Sequence, residues 1–229
     1  LQLVELSQAT QVPSGSNILV DTNILFSFFI KADHRHTLVW ELVRNLSDDD
    51  VNLYFNATAQ AELAEKIRIF EFRKALKSVD PNQLNSNQIE YRDRILREED
   101  RLSDRIFKDL RRDFVRNHGI DRWKIFCQGA FKFPVTQMLD SSPFQYVGFQ
   151  FATPLFPEGS ARPGWDSAFH WMENFGSTFG DSTIFNMAHK AQNLHALWSN
   201  DWDFAFLAKH CESPISCHTF YTQLQIQNN

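Results

Sequence analysis

Cysteine is scarce in this chain of 229 residues, at three positions: Cys127, Cys211 and Cys217. A sparse, odd set argues against a disulfide framework and fits a reducing compartment, so a cytoplasmic location is expected. Glycine and proline are also few, at eight each, which excludes collagen-like and low-complexity classes. No apolar run reaches the ~18 residues of a spanning helix, so a membrane is not expected as a partner. The opening stretch, LQLVELSQATQ, shows neither a basic n-region nor an apolar h-region, so no signal peptide is expected there. Basic residues are outnumbered, 23 against 28 acidic, giving a net charge of −5. That excludes a surface coated in positive charge for duplex DNA, while leaving room for a local basic groove.

What the chain does have is apolar mass. Hydrophobic residues make up 43%, with 22 Phe and 6 Trp. A chain of this length and composition buries a core without metal or disulfide staples, and disorder is excluded. Asn17–Val20 and Val51–Phe55 read as short buried strands. Asp33 is a plausible N-cap for a helix carrying Leu38, Leu42, Val43 and Leu46, and Asn56 or Thr58 opens a long helix to about Lys77. Pro81-Asn82 marks a turn.

From about Gln88 to Asn117 the spacing predicts a charged helix with Leu102, Ile106, Leu110 and Phe114 on one stripe. Residues 86–124 hold 11 basic and 9 acidic side chains, a balance that favours a solvated face laced with i,i+4 pairs over an RNA-gripping arm. Residues 125–180 then contain ten Phe and five prolines, and read as an aromatic, loop-rich segment. Packing against the body and a groove of stacking platforms for bases are its two readings. Towards the C-terminus a helix opens at Gly180-Asp181-Ser182, His195–Ser199 reads as a strand, a helix follows from Asp203 to about Lys209, and a last strand lies near Ile215–His218.

Strands alternating with helices imply a mostly parallel sheet with helices on both faces, a three-layer α/β/α arrangement. Ligand sites in such sheets lie outside the carboxyl ends of the strands. Asp21 and Asp201 each follow an apolar strand, Asp181 opens a helix, and Glu62 sits early in the helix after Phe55, so the four acids are expected to converge. Clustered carboxylates repel unless a cation lies among them, and Mg²⁺ or Mn²⁺ is the natural partner. A cation so held suits hydrolysis of a phosphodiester.

The motifs around these acids resemble a known family. Asn17–Phe26 (NILVDTNILF) is similar to the opening of a PIN-domain nuclease, with Asp21 as first acid and Asn23 two residues on. Thr58–Leu63 resembles the second motif with Glu62 as its acid, Gly180–Ala188 the third with Asp181, and Leu197–Phe204 the fourth with Ser199 two residues before Asp201. The resemblance covers about residues 17–65 and 180–218. It implies one PIN-like domain with a core over about 17–80 and 176–222 and a helical, aromatic-rich insertion over 81–175. It further implies a Mg²⁺- or Mn²⁺-dependent endoribonuclease cutting single-stranded RNA, and a toxin of a toxin–antitoxin pair with an antitoxin or other protein partner and a homodimeric state. Asp21, Glu62, Asp181 and Asp201 would be its metal ligands and catalytic acids. Ser199 and Asn23 would support them, with Asp203 as an outer ligand or, in the preferred reading, the cap of the last helix.

Other classes fit less well. A non-catalytic PIN-fold module that binds RNA or protein is the alternative, and four intact acids speak against it. A haloacid-dehalogenase-type phosphatase needs a second Asp where Asn23 stands, and a receiver domain needs paired N-terminal acids. His210–His218 invites a zinc reading, yet adjacent Cys217 and His218 on a strand point to opposite faces.

Overall fold

The central strands of this chain are short, largely apolar runs. Leu3–Glu5 (β1) comes first, followed by Asn17–Val20 (β2) and Asn52–Phe55 (β3). Ile18, Leu19 and Val20 are buried, as are Leu53, Tyr54 and Phe55. Successive strand residues point to opposite faces, so burial at consecutive positions means that both faces are covered. Phe144–Tyr146 (β4), Ala196–Trp198 (β5) and Ser216–Thr219 (β6) complete the set. The computed structural model describes residues 3–5, 12–47, 50–78, 81–83, 86, 89–90, 92–93, 104–130, 135–148, 155–156, 158, 164–211 and 216–219.

The six strands form one sheet in the order β1-β6-β5-β2-β3-β4, and every neighbouring pair is parallel. Parallel neighbours need crossover connections. Thr22–Phe29 (α1) and His36–Ser47 (α2) lie between β2 and β3, and Ala57–Ser78 (α3) follows β3. From β2 the chain steps outward to β3 and β4, then returns to the other flank of β2 with β5 and β6. That reversal between β2 and β5 is the topological switch point, where open α/β sheets bind their ligands.

Asp104–His118 (α4), Ile120–Ala130 (α5) and Val135–Asp140 (α6) precede Trp165–Phe175 (α7), Phe179–Lys190 (α8) and Trp202–His210 (α9). The chain divides into two compact units, Leu1–Leu63 with Val135–Asn229, and Ala64–Pro134. The first contains the whole sheet. In the second, Gly119 adopts a left-handed φ of 80° between α4 and α5, a conformation that glycine takes without penalty. There Trp123 is buried and meets Phe114 edge-on at 5.4 Å. Among the described residues no helix is long and apolar enough to cross a membrane.

Several local expectations are corrected. The stretch after Asp21 is α1, a helix absent from the sequence reading. The segment 125–180, read as loop-rich, holds α6, β4 and α7 as well as the end of α5. Its prolines include one at a boundary: Pro143 directly precedes β4, where it removes no interior ladder bond. Phe144 is buried, with its ring edge-on to Phe28 of α1 at 5.1 Å. The expected helix over 88–117 is described as α4 from Asp104, and positions 94–103 lie outside the described residues.

Candidate active site

Asp21 directly follows β2 and caps α1, because its side chain can take the N–H that the first helical turn leaves unpaired. One carboxylate oxygen, Oδ1, accepts from the Thr22 N–H at 2.6 Å. The other, Oδ2, accepts from Ser199 Oγ at 2.8 Å and from Asn23 Nδ2 at 3.2 Å. The Asp21 side chain is buried, and its backbone N–H donates to the Trp198 carbonyl at 2.9 Å. Asp21 and Ser199 therefore join β2 and β5 across the switch point.

Ser199 works in both directions, since its hydroxyl also accepts from the Asp201 N–H at 2.9 Å. Asp201 is the N-cap of α9 and accepts from the Asp203 N–H at 3.1 Å. The preferred reading of Asp203 as that cap is thus corrected by two residues: Asp203 lies in the first turn. Burial pushes its carboxyl above the usual range, and the neighbouring Asp201 adds to the shift.

Glu62, on α3, accepts at Oε2 from the Thr22 hydroxyl at 2.6 Å. This fastens the second acid to the residue beside the first. Gly180, on α8, backs onto the same carboxylate; a methyl group added at Gly180 would collide with Glu62 Oε1. Thr178 caps α8: its hydroxyl accepts from the Asp181 N–H and donates to the Asp181 carboxylate. Thr183 braces the turn by donating to the Gly180 carbonyl at 2.7 Å.

Asp181 carries a strong electrostatic signature. Its carboxyl is raised to about 7, chiefly by burial, with the Thr178 hydrogen bond opposing the shift and the charges of Asp201, Asp21 and Glu62 contributing to it. Asp181 is close enough to the other three acids to feel their charge. An all-oxygen carboxylate set under mutual repulsion has the donor chemistry of a hard divalent cation site. Among the described residues no group of three His, Cys, Asp or Glu side chains stands in a ready metal-holding arrangement. Each carboxylate is instead held by hydroxyl, amide or backbone donors of its own chain.

The sequence reading missed Thr22, Thr178 and Gly180, which position the acids rather than being acids. Thr22 lay inside the quoted Asp-Thr-Asn run, and Gly180 inside the third motif, so their signals were present without an assigned role. Around His210–His218, Cys217 is a free thiol pushed up to about 12 by burial. His218 accepts at Nδ1 from Trp198 Nε1 at 3.1 Å, a structural bond inside the sheet. Fold and site together define an α/β protein with an all-parallel sheet and a carboxylate cluster at its switch point. No protein-family model matches the chain, and no curated protein matches it.

Proposed function

We propose that this chain is a Mg²⁺- or Mn²⁺-dependent endoribonuclease of PIN-like, three-layer architecture that cuts single-stranded RNA. The observation that carries the reading is the bond from Ser199 to Asp21 across the switch point, with Glu62 fastened alongside through Thr22. Asp21, Glu62, Asp181 and Asp201 would hold the cation. Such an ion supplies Lewis acidity, neutralising charge on a phosphoryl oxygen and lowering the pKa of water. Ser199 and Asn23 keep the Asp21 carboxylate in one orientation, so little reorganisation is left for the moment of reaction. Thr22 does the same for Glu62.

The test is cleavage of an end-labelled single-stranded RNA by the purified chain. Cutting is expected with Mg²⁺ or Mn²⁺ and not in EDTA. Asp21→Asn keeps the size and the capping oxygen but removes the charge, and it should lower the rate by about a hundredfold or more. Full activity in EDTA, or in Asp21→Asn, would overturn the assignment.

A further inference from the structure

We infer that Arg35 grips a backbone phosphate of the RNA strand at the rim of the carboxylate site, with Asn200 as its positioning residue; the inference rests on the ribonuclease reading above. The carboxyl edge of a sheet lined by four acids repels a polyanion, and a strand approaching it needs a fixed cation nearby. Arg35 stands at that edge. It immediately precedes α2, and α2 leads to the start of β3, which runs parallel to β2. At 1.5 Å per residue a twelve-residue helix spans about 18 Å, so its first turn lies towards the carboxyl ends of the strands.

The side-chain contact agrees. With the Asn200 amide turned so that its oxygen faces the guanidinium, that oxygen lies 2.7 Å from Arg35 Nη1, 2.8 Å from Nη2 and 3.2 Å from Nε, against the guanidinium group. Asn200 is buried between Ser199 and Asp201, directly after β5. Arg35 comes from the connection that leaves β2 on one side of the switch point, and Asn200 from the connection that leaves β5 on the other. The pair therefore spans the crevice between them.

Two features suit the guanidinium to an external anion. Its side-chain partner is a neutral amide; the Asp33 carboxylate accepts from the Arg35 backbone N–H at 2.9 Å, and among the described residues no carboxylate forms an ion pair with the guanidinium. It also has five N–H donors, more than one carbonyl oxygen can satisfy, in a fork that matches phosphate oxygens. Arg35 is only half-buried, which leaves the fork accessible.

A purely structural tie between the two connections would use the same contact, and the experiment separates the two roles. Binding of a fluorescein-labelled oligouridylate is followed by anisotropy in the Asp21→Asn background with Mg²⁺, over a range of KCl concentrations. Arg35→Gln keeps an amide donor for Asn200 and loses the charge; Arg35→Lys keeps the charge and loses the fork. The expected result is binding about tenfold weaker for Arg35→Gln, with the log–log salt slope flattened by about 0.7, the share of one phosphate contact. Arg35→Lys should retain the salt slope. Thermal melts of both variants report any structural loss separately. RNA binding by Arg35→Gln that equals the parent in affinity and slope would overturn the inference and leave the ribonuclease reading standing. A chain with unaltered Asp21 and Arg35 that neither binds nor cuts RNA would overturn both.

Discussion

Gly180 lacks a side chain at a position where any β-carbon would run into the Glu62 carboxylate. The obstructing atom is the tip of a flexible side chain, so Gly180→Ala is expected to displace Glu62 rather than to unfold α8. Alanine also favours a helix over glycine, so stability should stay within about 1 kcal/mol of the parent or rise slightly. RNA cleavage should fall by about tenfold or more, because a small misplacement of a working group is costly. A melt and a cleavage assay on the same preparation check both halves. His218 makes a different prediction. Burial, reinforced by His195, lowers it from 6.5 to about 4, and its Nδ1 must stay unprotonated to accept from Trp198. In the unfolded chain the imidazole takes a proton near 6.5 while the folded one refuses it. This contribution to stability is therefore complete above pH 6.5 and is lost as the pH falls towards 4. Melting temperature against pH should show a decline through that window, and His218→Gln, which keeps an acceptor for Trp198, should remove His218's share of it.

At the scale of elements, the acids sit where helices begin. Asp21 caps α1, Asp201 caps α9, and Asp181 lies in the first turn of α8, bonded to its cap Thr178. In a parallel sheet the helix after each strand starts at the carboxyl edge, so helix N-termini and their favourable dipole ends gather there with the carboxylates. Capping and chemistry can be separated at Asp201. Asparagine caps a helix as well as aspartate does, so Asp201→Asn should melt within about 0.5 kcal/mol of the parent while losing cleavage. Asp201→Ala loses the cap as well and should cost about 1 kcal/mol more. Legibility differed from element to element. Strands β2, β3 and β5 were readable because consecutive apolar residues need cover on both faces. Helix α1 was not, since Thr22–Phe29 is rich in aromatic and branched side chains with weak helix preference, and its cap and its packing on α2 outweigh them. Strand β4 was missed because Pro143 and its neighbouring prolines look like breakers until one sees a proline at a strand boundary.

At the scale of the molecule, the proposed cation site would couple the carboxylates to the fold. Anything that binds the folded chain and not the unfolded one raises the melting temperature with its concentration. Millimolar Mg²⁺ is expected to raise it for the parent, and to do so less for Asp21→Asn, as read by calorimetry with and without EDTA. The same shift in both would mean that the ion acts elsewhere. The compact unit over Ala64–Pro134 is bounded differently from the expected insertion over 81–175, and β4 and α7 belong to the unit that holds the sheet.

The amino-acid sequence by itself determined the α/β alternation, the buried strands, the positions where helices can start and the four acids in their local settings. These are short-range properties: an apolar run specifies burial, and a side-chain oxygen before a helix specifies a cap. Only the tertiary structure decided which of these met. Ser199 reaches Asp21 across 178 positions and Thr22 reaches Glu62 across 40, and Arg35 comes to Asn200 from a different connection. Hydrophobic burial is non-directional, so the pattern that puts a strand inside does not name its neighbours. Strand order and register do that, and here they set β2 beside β5 with their carboxyl ends together.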